Sequence, residues 1–520
     1  MELYNNSLVY VALFFAVFFI QIIWIKSAPM CSLIEKRKLS PRLTEFIFCA
    51  CTALAVSTLF RLFPGNDLPP NEDSSVFLYI GERMLEGKVP YRDLFDHKGL
   101  LLYFIQFLGL KIAPGSFSGI WILEAVNMLI TALLMCRLGS IITDNRASVY
   151  LAVIMTIGVC GWKVWQGGNF TEEYALPWIT LAAVVFLSFF QKKKYRKTDV
   201  LLLGIGFAAV FLLRANMIAA WISFLPAVLV FLIIKKRFVE IGECVLFFLV
   251  GMVIIFLLAL FYLLRTDSLE AFWKSYFLFN LSYTEASHGG ILKTAVYFAS
   301  VIWPGALAAF ICLITDPRKK LQWFNALFFI VSLYTAAMSG REYYHYAIVL
   351  LPTLVLPMTG LFDLTANMLT AGEAEKTAVS TTVMLISSVL IMTTAFTYRE
   401  LSSREEELDP IVQYLQESTK ETDDVLILGN SCWYYLMADR KTENRFFYQL
   451  PPLEISDELY TSFLKEIEKK PSQMIILPGV MEERQTIDLK LHGVRETLLK
   501  NKQMNYSSVS YEQFEVLTVS

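Results

Sequence analysis

The chain is organised around the stretch PGNDLPPNEDSSVFLYIGERMLEGKVPYRDLFDHKGLLLYFIQFLGL, from Pro64 to Leu110, which carries many charges between two very apolar regions. Its polar side chains include Asp67, Glu72, Asp73, Glu82, Glu86, Asp93, Asp96, His97 and Lys98. Apolar residues recur at helical spacing after Asp73, which predicts an amphipathic helix on a bilayer surface; they are Phe77, Leu78, Ile80, Met84 and Leu85. A polar loop between membrane spans is a common place for chemistry, and a solvated connector is the alternative.

The composition is that of a polytopic membrane protein. Of the 520 residues, 56% are hydrophobic and only 18% are charged, and the mean hydropathy is +0.51. A soluble protein could not bury that much apolar surface. The net charge of -2 specifies no partner, and no nucleic acid is expected. The eight cysteines show no metal-ligand spacing and no disulfide framework.

The distribution of basic residues sets the expected topology. The first apolar run, 8–25, is predicted to be a retained span, and the basic loop after it is placed in the cytoplasm by the positive-inside rule. The run 100–113 either crosses the membrane or lies beside it as a juxtamembrane or re-entrant helix. The second choice keeps all later basic loops inside, so it is preferred. The predicted crossings, about twelve in all, are 8–25, 46–63, 120–136, 149–160, 175–190, 200–213, 217–234, 245–264, 294–314, 323–338, 346–361 and 378–396.

The end of the chain has a different character. Strand and helix patterns alternate there, with short apolar strands at VLIL, MIIL and FEVL and amphipathic helices between them. The predicted fold is therefore a polytopic α-helical membrane domain, residues 1–397, with an outer loop at 64–119 that holds juxtamembrane helices. A small extracytoplasmic α/β domain follows at 398–520, for which a structural or acceptor-docking role is expected before a catalytic one.

The outer loop supplies the first candidate site residues. Asp73 is the candidate base that takes a proton from an acceptor hydroxyl, Glu72 is held in reserve, and a helix N-cap is the alternative role for Asp73. Arg92, His97 and Lys98 are candidate ligands of a membrane-anchored phosphate, and Asp93 and Asp96 would orient them. Anchoring of a helix end by a snorkelling side chain is the alternative for Lys98.

The topology places four later polar clusters on the outer side; one of them is a long loop at 265–293, and the other three supply further candidates. Glu172 and Glu173 would bind a sugar or an acceptor, and since adjacent residues point in different directions only one of them should face a site. Arg214 lies in an apolar stretch where a charge is costly and usually paired. The run REYYHY places Arg341, Tyr344 and His345 together, which suits a phosphate and a polyprenyl chain; an interfacial aromatic belt is the alternative.

The segments DSSVFLYIGERMLEGKVPYRDLFDHKG, GGNFTEEYALP, LLRAN and REYYHYAIVLLP resemble, in that order, the signature segments of bacterial C-type glycosyltransferases of the dolichyl-phosphate-mannose mannosyltransferase and aminoarabinose-transferase type. The resemblance covers residues 1–396 and implies polyprenyl-phosphate-linked sugar donors. It places the catalytic aspartate at Asp73, before Phe77. The Lys-Pro-Pro or His-Pro-Pro element of the family matches His97-Lys98-Gly99, with Gly99 and Leu100 in place of the prolines.

The expected function is transfer of a sugar, with inversion, from a polyprenyl-phosphate carrier to a cell-envelope glycan, lipid or protein acceptor. The expected location is the bacterial plasma membrane, with the site on the extracytoplasmic face. No metal ligands are assigned, and a divalent metal is left as an open alternative that no residue pattern supports. The alternatives are a transporter or flippase of lipid-linked sugars, which would carry charges along a membrane path, and a non-catalytic envelope assembly protein.

Overall fold

The computed structural model describes residues 40–64, 69–161, 163–285, 290–316, 319–369, 409–478, 489–500, 506–511 and 514–519. The predicted spans 8–25 and 378–396 lie outside these ranges. The described residues form two compact units, and each of them combines separate segments of the chain.

The helices, in chain order, are α1 (Pro41–Ser57), α2 (Glu72–Leu85), α3 (Leu100–Ile112), α4 (Ser118–Gly139), α5 (Arg146–Ile154), α6 (Thr171–Lys192), α7 (Lys197–Phe211), α8 (Ala219–Ile234), α9 (Phe238–Arg265), α10 (Leu269–Phe272), α11 (Phe279–Glu285), α12 (Ile291–Val301), α13 (Trp303–Thr315), α14 (Lys319–Ala337), α15 (Leu351–Leu369), α16 (Pro410–Ser418), α17 (Trp433–Ala438), α18 (Pro452–Ile455), α19 (Asp457–Lys469) and α20 (Leu489–Lys500). Short π-helices follow α5 and α10, at Met155–Cys160 and Trp273–Leu278, and a 3-10 helix at Tyr344–Leu350 leads into α15.

Within the described ranges, four helical segments are long and apolar enough to cross a membrane: Ser118–Gly139, Thr171–Lys192, Phe238–Arg265 and Tyr344–Leu364. The bent pair Ile291–Val301 and Trp303–Thr315 makes a fifth if it counts as one span. The four to five segments support a multi-pass membrane protein, whereas the number twelve stays a prediction. The helix α9 is the most apolar of the four. Only 6% of its most apolar 18-residue stretch is buried within the protein, as expected for a lipid-facing helix.

The first unit comprises residues 1–63, 121–258 and 288–401, and its helices pack closely through small residues. A Cβ atom added to Gly204 of α7 would lie 2.0 Å from the carbonyl oxygen of Phe248 in α9. One added to Gly251 of α9 would lie 2.1 Å from the carbonyl oxygen of Leu201. The two backbones are therefore in direct contact, as is common between membrane helices whose shared face carries glycine.

The second unit comprises residues 64–120, 259–287 and 402–520, so that the outer loop shares a compact body with the C-terminal segment. Its core draws Phe95 from the first segment, Phe279 and Tyr283 from the second, and Leu426 and Ile475 from the third. The stretch around 265–293, expected to be a long loop, is largely helical, since α10, a π-helix and α11 follow one another there. All three segments are needed to bury this core.

The C-terminal segment contains one mixed four-stranded sheet of order β1-β2-β4-β3, built from β1 (Val425–Ile427), β2 (Met474–Pro478), β3 (Tyr506–Ser510) and β4 (Phe514–Val519). Strands β1 and β2 are parallel, and the other two pairs are antiparallel. The strands β1, β2 and β4 and the helices α17, α19 and α20 lie where the sequence predicts them. The polar edge strand β3 was not predicted, because its YSSVS sequence lacks the apolar run on which the other strands were recognised.

The run 100–113 is the helix α3, which belongs to the second unit. It packs against α2 at Gly81, where an added Cβ would lie 2.8 Å from the Gln106 Cβ atom. With 13 residues, α3 is shorter than the roughly 20 that a membrane span requires. Its length therefore agrees with the prediction that this run lies beside the membrane.

Candidate functional site

The helix α2 carries the candidate base in its first turn. Asn71 is the N-cap of this helix, and its side-chain oxygen accepts a hydrogen bond from the Ser74 amide at 2.8 Å. Asp73 is therefore not the cap, so the alternative role considered for it is wrong. Glu72 and Asp73 both lie in the first turn of α2, at the positive end of the helix dipole.

Lys98 lies against α2, one helical turn after Asp73. Its ammonium nitrogen lies 5.8 Å from the centre of the Phe77 ring, and Phe77 follows Asp73 by four residues, one turn along the same helix face. The loop that carries Lys98 is held in place, because the Tyr91 hydroxyl donates to the Lys98 carbonyl oxygen at 2.8 Å and the Tyr103 hydroxyl lies 3.3 Å from the same oxygen. The structure thus brings the candidate base and a candidate phosphate ligand to one helix.

Asp96 is buried beside Lys98 and is satisfied by three donors. They are the Tyr103 hydroxyl at 2.7 Å, the Tyr448 hydroxyl at 2.6 Å and the His97 amide at 2.7 Å. Burial works to raise the pKa of this carboxyl, but the charge of Lys98 and the two hydroxyl donors outweigh it and hold the pKa below its ordinary value. The structure therefore keeps a carboxylate next to Lys98.

His97 itself is 7% exposed. Its ring lies between Asn280, whose Oδ1 is 3.0 Å from Nδ1, and Lys98, whose Nζ is 3.3 Å from Nε2. Tyr283 and Phe279 pack against the ring. The sequence placed His97 and Lys98 together as phosphate ligands, and the structure shows that the two side chains touch each other.

Arg92 and Asp93 form a separate pair at the surface of the second unit. The Arg92 guanidinium donates to both Asp93 carboxylate oxygens, at 2.8 and 2.9 Å, and to the Thr266 carbonyl at 2.7 Å. The hydrogen bond to Asp93 raises the pKa of Arg92, so the guanidinium stays charged. Asp93 orients Arg92, as expected; binding of phosphate by the one and of sugar by the other stays a prediction.

In the first unit, Glu172 and Arg214 form a nearly buried ion pair, with side chains that are 4% and 17% exposed. The guanidinium also stacks over the Tyr346 ring, with its central carbon 4.0 Å from the ring centre. The prediction that a charge at Arg214 would be paired is confirmed, and Tyr346 supplies a cation–π contact that the sequence analysis did not assign.

The Glu173 side chain points away from the Glu172–Arg214 pair, as expected for the next residue along a helix. Its Oε2 and the Oε1 of Glu124 both accept from the Asn169 amide, at 3.0 and 2.5 Å, and both side chains are fully buried. Within the described part of the chain, the other carboxyl oxygen of each has no hydrogen-bond partner. Two buried carboxyl groups that accept from the same amide would repel each other if both were charged, so they must share a proton or a cation. Glu124 was missed, although a lone acid within the apolar run 120–136 is itself a sign of a special position.

The loop before α6 also contacts the REYYHY segment, residues 341–346. Phe170 stacks on the His345 ring at a centroid distance of 4.2 Å, and the Gln166 Oε1 lies 3.1 Å from His345 Nδ1. Tyr344 packs against Tyr297 at 5.5 Å, and Arg341 is half-buried ahead of them. These contacts make the segment part of a packed aromatic cluster in the first unit, and His345 is 6% exposed.

Three contributors to the second unit were missed because nothing local marks them. Asn280 is 183 residues from His97, and Tyr448 is 352 residues from Asp96. Asn430 likewise reaches the Glu72 carboxylate at 3.1 Å. Among the described residues, no group of three or more His, Cys, Asp or Glu side chains is placed to hold a metal ion.

The fold is similar to that of ArnT from Cupriavidus metallidurans in two crystal structures. The structure bound to undecaprenyl phosphate aligns with a TM-score of 0.61 and 11% identity, over 90% of this chain and 97% of that one. The apo structure aligns with a TM-score of 0.60 and 11% identity, over 92% and 99%. This similarity confirms the C-type glycosyltransferase fold that the order of the sequence segments predicts.

No curated protein sequence matches the chain. A family profile does match it, over residues 42–396, which is more than half of its length. The chain therefore belongs to the family described as "Putative competence-induced protein Ccs4 N-terminal domain".

Proposed function

We propose that the chain is an integral membrane glycosyltransferase that moves a sugar from a polyprenyl-phosphate-linked donor to a cell-envelope acceptor on the outer face of a bacterial plasma membrane. The observation that carries this proposal is that the Lys98 ammonium lies 5.8 Å from the ring of Phe77, the residue one helical turn after Asp73 on α2. The fold of ArnT, solved with undecaprenyl phosphate, supports the choice of donor.

In the proposed reaction, the Asp73 carboxylate takes the proton from an acceptor hydroxyl while the oxygen of that hydroxyl attacks the anomeric carbon of the sugar. The bond from that carbon to the phosphate oxygen breaks at the same time, and the phosphate leaves with the electron pair. Attack opposite the leaving group in a single displacement inverts the anomeric centre. Glu72, bonded to Asn430, is the reserve base.

The Lys98 ammonium stabilises the charge that develops on the departing phosphate, because a cation held in place before reaction loses little energy in reorganising. The same proposal assigns anionic groups of the donor to His97, Arg92, Arg214, Arg341 and His345, and the hydroxyls of sugar or acceptor to Glu172, Asp93 and Tyr344. A buried ion pair such as Glu172–Arg214 keeps the guanidinium oriented without a ligand.

The test is mass spectrometry of envelope glycans from a deletion strain complemented with wild type, Asp73→Asn or Glu82→Gln. Loss of a carboxylate base should lower transfer by about 100- to 10,000-fold, so Asp73→Asn should not restore the missing sugar. Glu82→Gln removes a carboxylate from the same helix and should restore it. Full restoration by Asp73→Asn, at equal membrane levels, would remove Asp73 as the base.

A further inference from the structure

We propose that Tyr448 and Asn280 are positioning residues for Lys98, the first acting through Asp96 and the second through His97. The proposal deepens the proposed function and rests on it. It means that two segments far from the outer loop in sequence, 259–287 and 402–520, complete the phosphate-binding part of that loop.

The first path runs from Tyr448 through Asp96 to Lys98. The Tyr448 hydroxyl donates to one carboxylate oxygen of Asp96 at 2.6 Å, and the Tyr103 hydroxyl donates to the other at 2.7 Å. With both oxygens held, the carboxylate cannot turn away, and its charge interacts with that of Lys98. Burial, followed by Asp96 itself, raises the pKa of Tyr448 well above its usual value, so its hydroxyl keeps the proton that it donates.

The second path runs from Asn280 through His97 to Lys98. The Asn280 Nδ2 donates to two carbonyl oxygens, that of His97 at 2.8 Å and that of Tyr276 at 2.7 Å. These bonds fix which end of the amide is the oxygen, and this oxygen lies 3.0 Å from His97 Nδ1. An amide oxygen only accepts, so Nδ1 carries the proton of the neutral ring. The lone pair of Nε2 then faces the Lys98 ammonium at 3.3 Å.

Together the two paths determine where the Lys98 ammonium lies. One side of it meets the His97 lone pair, the Phe77 ring lies 5.8 Å away, and the Asp96 carboxylate balances its charge. A lysine side chain is otherwise flexible and loses considerable rotamer entropy on binding an anion. Holding it in advance lowers that cost when a phosphate binds.

The experiment measures binding of undecaprenyl phosphate to the purified full-length chain in lipid nanodiscs. Wild type, Tyr448→Phe, Lys98→Met and the double variant Tyr448→Phe/Lys98→Met are compared. Tyr506→Phe is the matched control, because it also removes a buried hydroxyl from the C-terminal segment, one that donates to the Ser472 carbonyl at 2.6 Å. Thermal melting of each variant accompanies the binding data.

Tyr448→Phe is expected to weaken binding by about tenfold, since it removes a hydrogen bond to a charged carboxylate and part of that loss is transmitted to Lys98. In the Lys98→Met background the same change should have no further effect, because nothing remains to be positioned. A merely structural role would weaken binding equally in both backgrounds. Equal losses, or no loss with Tyr448→Phe, would overturn the inference, as would a loss of the same size with Tyr506→Phe.

Asn280→Asp gives an independent second measurement. A carboxylate at this position favours the protonated ring of His97, whose Nε2–H would repel Lys98. The charged and titratable groups that face this ring are Asp96, Lys98 and Tyr283. Binding should be about tenfold weaker at pH 6 and should approach that of wild type at pH 9. A deficit that does not change with pH would overturn this path. If wild type fails to bind undecaprenyl phosphate, the proposed function fails, and the inference with it.

Discussion

Removing the Arg214 guanidinium should destabilise the first unit far more than removing its partner. Arg214→Met leaves the Glu172 carboxylate, whose side chain is only 4% exposed, buried without its counter-charge. Breaking a buried pair in this way costs about 3–5 kcal/mol. Glu172→Gln is milder, because the Arg214 side chain is 17% exposed and keeps its stacking on the Tyr346 ring.

The double variant Arg214→Met/Glu172→Gln separates stability from function. It removes both charges, so most of the free energy of unfolding lost with Arg214→Met should return. Binding of undecaprenyl phosphate should not return, because the proposed phosphate ligand is still missing. Unfolding in a denaturing-detergent titration, followed by tryptophan fluorescence, gives the four free energies of the cycle.

Three results would contradict this reasoning. A loss below about 1 kcal/mol with Arg214→Met would mean that the pair behaves like an exposed one. A double variant that is no more stable than Arg214→Met would mean that the cost comes from lost packing on Tyr346 and not from the unpaired carboxylate. Recovery of binding in the double variant would remove Arg214 from the phosphate ligands.

Three further predictions concern stability. Gly168→Ala should cost about 1–3 kcal/mol or more, because Gly168 has φ +81° and a Cβ would lie 2.4 Å from Glu124 Oε1; an unchanged melting temperature would contradict this. Asn71→Ala, which removes the cap of α2, should cost about 1 kcal/mol in the same assay. Burial and the nearby Asp439 raise the pKa of Glu82 from 4.5 to about 7, so stability should fall as the pH rises through that interval. Glu82→Gln should therefore add up to about 3 kcal/mol at pH 8 and little at pH 4, and equal gains at both would be inconsistent with the shift.

Sequence reasoning succeeded where the information is local. The amphipathic pattern after Asp73 predicted α2, and the run 100–113 was assigned to the loop and not to the membrane because basic residues later in the chain required it. The divergence of Glu172 and Glu173 follows from helix geometry alone. In each case the deciding residues lie within a few helical turns of one another, or the prediction rests on the preference of basic residues for cytoplasmic loops.

Sequence reasoning missed the contacts that join segments distant along the chain. Asn280 lies in a stretch that was expected to be a loop, and Tyr448 lies in a segment that was expected to be a separate domain. Nothing in the spacing of either residue points to His97 or Asp96. The capping role of Asn71 was missed for a different reason, since Asn71 and Asp73 are both good capping residues and only backbone geometry separates them.

The pairing of Tyr448 with Asp96 also sets an order of events during synthesis. The two residues are 352 positions apart, so at about 5–20 residues per second the ribosome needs roughly 20–70 seconds between them. During that time Tyr79 and Phe95, which are buried in the finished protein, lack the part of their surroundings that comes from residues 402–520. A nascent chain that stopped before residue 402 would already carry the described membrane helices, and its outer loop would have no surface on which to complete its folding.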